Sequence, residues 1–199
     1  MINNPFDPGY YQGNELGAFG FKSVGTNVRI AKNCTIIGLE NISIGDNVRI
    51  DGYCTLVAAG GHIDIGSYIH VGGYGLLSGS AGIVLEDFCN LSQGVRIYSK
   101  SDDYSGIAMT NPMVPPQFLA VESGEVVIGR HVIIGSGSVV LPKVTIGLGS
   151  AVGALSMVNK ALDPWGVYAG TPARFIKSRS RQLLEKEQQL WAERQAEQR

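Results

Sequence analysis

The chain has 199 residues, 44% of them hydrophobic and 17% charged, with a formal net charge of −1. That length predicts one domain, 1–199, and so small a charge excludes broad electrostatic attraction to nucleic acid. The most apolar stretch, Val126 to Pro142, carries Arg130 and His131 and is broken by glycines, which excludes a membrane-inserted span. The first residues, MINNPFDPGYYQGN, have neither a basic start nor an apolar run, so a cytoplasmic location is expected by default.

Residues 1–22 place Phe6, Tyr10, Tyr11, Phe19 and Phe21 among Gly, Asn and Pro. They predict an irregular cap or a subunit contact. From Val24 a six-residue step begins: Val24, Ile30, Ile36; Ile44, Ile50, Leu56; Ile65, Val71, Leu77; Leu85, Leu91, Ile97. The step stops over 99–124, a loop containing Pro112, Pro115 and Pro116. It resumes as Ile128, Ile134, Val140, Ile146, Val152 and Val158, ending near residue 160. A step of six fits neither a 3.6-residue helix nor strand alternation. It fits a chain that turns a corner every six residues and stacks equivalent positions, which is a parallel β-helix. Residues 39–41 and 60–62 are extra and predict small outward bulges.

The position four after each step residue is small or β-branched, from Val28 and Cys34 to Ser150 and Ser156. This suits the inner corner of a narrow prism. All three cysteines, Cys34, Cys54 and Cys89, fall there and predict buried apolar thiols. An odd count without paired spacing argues against a disulfide framework or a zinc motif. Glycine follows the step residue at Gly25, Gly45, Gly66, Gly72, Gly129, Gly135, Gly147 and Gly153, predicting sharp corners that use its backbone freedom. An irregular 26-residue segment inside a compact repeat predicts a functional loop. Residues 161–199 close the prism and then form a helix. Leu183, Leu184, Leu190 and Trp191 share its apolar face, to be packed on the coil wall or a neighbouring subunit.

Residues 24–177 resemble the hexapeptide-repeat acyltransferases, most strongly in VVIGRHVIIGSGSVVLPKVTIGLGSAVGALSMVNKAL and VYAGTPARFIK. More narrowly, they resemble sugar O-acetyltransferases of the galactoside acetyltransferase type, which modify sugars and polysaccharide precursors. The resemblance implies an all-β, left-handed parallel β-helix. It also implies acetyl-CoA as co-substrate without a metal, and a homotrimer with intersubunit active sites. Handedness comes from the resemblance alone, since parallel crossovers in general favour the right hand.

Acetyl transfer to a hydroxyl needs a base, an oxyanion donor and a slot for the pantetheine arm. In the galactoside type the catalytic histidine begins the long loop, and Asp102 stands at that place here. His70, just before Val71, is the preferred replacement base, since the matching family residue lines the acceptor pocket. Asp102 and Asp103 are its expected partners, through a neighbouring subunit's loop, or the base themselves. Tyr104, Asn90, Ser92, Tyr74 and Met109 are expected around the acceptor. The resemblance gives Ser136 as the backbone oxyanion donor. It puts Gly135, Gly153 and Ala154 along pantetheine, Asn159 and Lys160 near adenine, and Arg174 and Lys177 at the phosphates. Trp165 is expected against the adenine end or the C-terminal helix.

The leading reading is acetyl-CoA-dependent O-acetylation of a sugar or polysaccharide precursor, with His-assisted direct attack. N-acetylation of a nucleotide-linked amino sugar is the alternative, since an amine needs less help from a base. A non-catalytic solenoid would have no reason to keep AGTPAR. The separations of His62, His70 and His131 do not reproduce the zinc site of the γ-type carbonic anhydrases.

Overall fold

A computed structural model describes residues 4–197. From Ser23 to Val158 the chain winds a left-handed parallel β-helix, its short strands stacking into three sheets that form the faces of a triangular prism. One coil serves as the pattern: Ile83–Leu85 lies on the first face, Asn90–Leu91 on the second, Arg96–Tyr98 on the third. The predicted step positions fall in register. On the first face Ile44 pairs with Ile65, Ile65 with Leu85, Leu85 with Ile128, and Ile128 with Ile146. These side chains fill the prism: Ile50, Leu56, Leu77, Ile97, Ile128 and Ile134 are 0% exposed. Burying one such aliphatic side chain is worth about 1.5–3 kcal/mol, and each also packs against its counterparts in adjacent coils.

The inner-corner positions are buried as expected, Cys54 and Cys89 among them, and burial pushes the Cys89 thiol up to about 12. Cys34 departs from this and is only half-buried. It belongs to the first coil, which has no further coil beyond it. The glycines have a different reason from the one the sequence suggests. Gly45, Gly66, Gly72, Gly129 and Gly153 have ordinary backbone angles, but a Cβ there would strike the next coil. At Gly129 it would lie 2.7 Å from the Ile146 carbonyl oxygen. The left-handed residue stands two positions later, at Asn27, Asn47, Tyr68, Tyr74, His131, Gly137 and Leu155. Bulky residues are rare in that region of backbone space. Here the turn forces it and leaves the side chain standing on the prism edge.

The extra residues all fall at the corner between the third and first faces. Leu39–Asn41 is a single 3-10 turn, Gly60 carries φ 78°, and a third insertion ends at Gly82 with φ 102°. The long loop leaves the same corner on an antiparallel ribbon, Lys100–Ser101 against Glu122–Ser123. At one end, Tyr10–Gln12 adds an antiparallel strand to the second face and Leu16 plugs the core. At the other, Gly166–Ala169 and Arg174–Ser178 close that face as a hairpin. Trp165 is buried over Gly149, with the Arg181 guanidinium 5.3 Å from its ring centroid.

The C-terminal helix, Leu183–Glu197, docks on its own coil wall. Tyr68, Phe88 and His131 form an aromatic ladder on one edge, with ring centroids 4.9 and 4.8 Å apart. Trp191 meets Tyr68 and Phe88 edge-on, and Glu187 accepts from His131 Nε2 at 2.7 Å and pairs with Arg130. Among the described residues no helix is long and apolar enough to cross a membrane. Leu77→Ala is expected to cost about 2–5 kcal/mol in urea unfolding, whereas Leu155→Ala, at a position 77% exposed, leaves the midpoint unchanged.

Candidate active site

The edge shared by the second and third faces collects most of the singled-out residues. Down this edge successive coils turn through Gly52-Tyr53, Gly73-Tyr74, Gln93-Gly94, Ser136-Gly137 and Ala154-Leu155. In each pair the second residue is left-handed, with φ between 55° and 70°. The Gly135 and Gly153 N–H groups are tied into the coil stack, donating to Val152 O and Tyr168 O at 2.8 Å. The Ser136 N–H has no acceptor among the described residues, and Ser136 is exposed. Its hydroxyl lies 3.4 Å from Gln93 Oε1. Gln93 was not singled out from sequence, because a lone glutamine in a turn carries no pattern.

His70 lies on the strand Ile69–Val71 of the second face, between Arg49 and Asn90 of the adjacent coils. Its Nε2 is 2.8 Å from Asp51 Oδ2 and its Nδ1 is 3.2 Å from Asn90 Oδ1. A carboxylate only accepts, so Nε2 carries a proton. The Asn90 amide either accepts from Nδ1–H or, turned over, donates to a bare Nδ1. Both ring nitrogens are therefore engaged within the chain. Asp51 also accepts from Arg49 Nε at 2.6 Å and from the Tyr10 hydroxyl at 3.0 Å. The Arg49 guanidinium, with His70 and Tyr10, holds the Asp51 carboxyl well below the usual carboxylate range, against some opposing burial.

Within the chain the aspartate facing His70 is Asp51. The expected partners, Asp102 and Asp103, belong to the loop of a neighbouring subunit in that reading and lie elsewhere in their own chain. Asp102 and Asp103 line a cleft of about 890 Å³ beside the third face, with Arg96, Tyr98 and Tyr104, while His70 stands on the second face. Within one chain the two groups do not pair. A signal for Asp51 was present in the sequence. After the second-face step residue, other coils carry Ala31, Gly72, Gly135 and Gly153; only Asp51 and Ser92 put a reactive group there.

The two loop carboxylates differ. Asp103 accepts from the Ser105 hydroxyl at 2.6 Å and from the backbone N–H groups of Ser105, Ile107 and Ala108, which pulls it down to about 2. It braces the loop. Asp102 makes no such side-chain contacts among the described residues and faces the cleft. Met109 bridges Leu119 inside the loop. Tyr74, 65% exposed, stacks on Tyr53.

No family model matches the chain. It is 46% identical over 173 residues to a dTDP-4-amino-4,6-dideoxy-D-glucose acyltransferase of Escherichia coli, covering 87% of this chain and 90% of that relative. The chain belongs to the hexapeptide-repeat sugar acyltransferases. Its structure matches AntD, an N-acyltransferase from Bacillus cereus solved with dTDP and 3-hydroxybutyryl-CoA. The TM-score is 0.90 at 43% identity, over 94% of this chain and 98% of that one. A maltose O-acetyltransferase from Clostridium difficile 630 shares the fold, with a TM-score of 0.53 at 24% identity over 81% of this chain and 71% of that one.

In the acyltransferase, the residues expected along the acyl donor lie in sequence down the prism. Ser136 and Ala154 occupy successive coils of one edge, and Arg174 and Lys177 are exposed on the closing strand of the second face. Asn159 and Lys160 are exposed at the far end of the third face, just after Met157, whose carbonyl accepts from the Ala173 N–H at 2.8 Å at the start of the Arg174 strand. Among the described residues no group of three or more His, Cys, Asp or Glu side chains is placed to hold a metal. Because its folded-state acidity is raised, Asp51 contributes stability that is fully present above its unfolded pKa of about 3.9 and lost as pH falls below it. Urea unfolding of Asp51→Asn is therefore expected to show a deficit at pH 7 that shrinks at pH 3.

Proposed function

We propose that the enzyme moves an acyl group from coenzyme A to the amino group of a dTDP-linked 4-amino-4,6-dideoxy sugar. The observation that carries this is the match to the Escherichia coli and Bacillus cereus acyltransferases along nearly the whole of both chains. It favours the N-acyl reading over O-acetylation of a polysaccharide precursor. The galactoside O-acetyltransferase of Escherichia coli (strain K12) matches over only 26% of the chain. One spacing supports the residue assignment. AntD has been solved with substitutions at a serine and at an aspartate ten positions further on. Ser92 and Asp102 form the one Ser–Asp pair with that separation in this sequence.

The chemistry follows from these groups. The neutral amine attacks the thioester carbonyl; a C–N bond forms, the C–S bond breaks, and the amine's proton leaves through a base while the thiolate is protonated. Asp102 is the base and Ser92 orients the amine. The Ser136 N–H receives the charge on the carbonyl oxygen, where a fixed donor is worth more than in water. Basic Arg174 and Lys177 meet the cofactor phosphates. In a trimer of the chain each site is completed between two neighbouring copies, the loop of one laying Asp102 along the edge of the next. Tyr104, Ile107 and Met113, 94%, 89% and 90% exposed, support such a covering. His70, with both nitrogens engaged, holds Asp51 and Asn90 in place beneath the acceptor.

The test is thiol release from acetyl-CoA and from 3-hydroxybutyryl-CoA with dTDP-4-amino-4,6-dideoxyglucose, read alongside product mass. Release is expected only with the amino sugar nucleotide. Release with sugars lacking the amine, and none with the amino sugar, would return the enzyme to O-acetylation. Asp102→Asn is expected to lose roughly a hundredfold or more in kcat with unchanged CoA affinity, and His70→Ala to lose less than Asp102→Asn.

A further inference from the structure

Two aromatic ladders stand on edges of this prism, and only one has a partner in the chain. Tyr68, Phe88 and His131 are covered by the C-terminal helix through Trp191 and Glu187. On the edge between the second and third faces, Tyr53 and Tyr74 stack 5.0 Å apart and within 11° of parallel, yet remain 61% and 65% exposed. Both hold a left-handed backbone that bulky residues rarely adopt. Two large, flat, uncovered side chains at strained positions need a reason.

Beside them lies a cavity of about 350 Å³ between the corner and the N-terminal segment around Pro8 to Tyr10. Asn33 lines it one coil beyond Tyr53. Its Oδ1 is buried and has no hydrogen-bond donor among the described residues, so the amide turns over without breaking a bond there. An unengaged amide offers either a donor or an acceptor, which suits the imide edge of a pyrimidine. Gly52 and Gly73 leave the cavity floor without side chains, and a Cβ on Gly52 would lie 2.7 Å from Asn33 Oδ1.

The order along the edge gives the direction. Ser136 and Ala154 lie on one side of Ser92; Tyr74, Tyr53 and Asn33 follow on the other, one per coil. Coils rise about 4.8 Å each, so Asn33 stands about 14 Å from Ser92 along the axis. That is the reach of a diphosphate and ribose linking a sugar at Ser92 to a base. We propose that this cavity is the base subsite of the acceptor: a pyrimidine ring of a nucleoside diphosphate sugar stacks on Tyr53 and is gripped at its edge by Asn33. The proposal rests on the nucleotide-linked acceptor argued above.

Calorimetric titration of dTDP and, separately, of CoA into the full-length protein tests it. Tyr53→Asn keeps the corner backbone, since Asn27 and Asn47 hold the same conformation with φ 53° and 58°. Loss of an aromatic stacking platform is expected to weaken dTDP binding by roughly tenfold or more, with CoA affinity unchanged. Asn33→Ala removes a side-chain amide whose oxygen has no donor, so the fold is kept while dTDP again binds more weakly. Wild-type dTDP affinity in Tyr53→Asn overturns the base subsite and leaves the acceptor class standing. Wild-type protein that binds CoA but not dTDP overturns the acceptor class, and this subsite with it.

Discussion

The close stacking of coils at the prism corners governs the rest of this molecule. Successive coils sit one hydrogen-bond spacing apart, so several corners have room only for a residue without Cβ, as at Gly45 and Gly129, while others hold Ala31, Asp51 and Ser92. The chain then completes its turn two residues later in the left-handed region. The interior accepts only aliphatic rungs and small corner residues, because three faces converge on it. Large side chains are left with the edges, where the left-handed residue projects outward. A fold made rigid and monotonous inside thus becomes a set of straight edges on which groups can be placed at one-coil intervals.

This enzyme uses two of those edges differently. One carries Tyr68, Phe88 and His131 and is closed by the C-terminal helix, whose Glu187 meets both His131 and Arg130. That edge is structural. The other runs past Ser136, Ser92 and the exposed tyrosines, and its Ser136 N–H has no acceptor among the described residues. In the proposed reaction an acyl donor and a long acceptor lie end to end along this edge and meet at the coil that carries Ser92 and the loop. Alignment of the two substrates then comes from the stiffness of the stack and needs no closing domain.

His70 belongs to a closed polar cluster on a flat face. Asp51 fixes the proton on Nε2, Asn90 occupies Nδ1, and Arg49 keeps Asp51 ionised. Every member is satisfied, and a satisfied network holds a shape. Asp102, by contrast, faces a cleft and its carboxylate has no hydrogen-bond partner among the described residues, while its neighbour Asp103 accepts from the Ser105 hydroxyl and three loop backbone N–H groups. Two adjacent aspartates of similar appearance in sequence therefore have different fates, decided by which one the loop turns back upon.

The sequence by itself determined the coil architecture, the place of the long loop, the inner-corner residues and the C-terminal helix. All of these follow from periodicity, which is local and repeated, as in the run from Ile128 to Val158. It also marked His70, Ser92, Asp102 and Ser136 as positions of interest. It did not give the reason for the corner glycines, nor Asp51 and Gln93 as neighbours of the marked groups, nor the edge on which each residue stands. Those depend on contacts between neighbouring coils, 19 residues apart for Asp51 and His70 and 43 for Gln93 and Ser136 across the long loop. Only the tertiary structure decided them, because in a solenoid the partner of a side chain lies in the next turn of the stack, and insertions of two or three residues between turns shift which sequence positions meet.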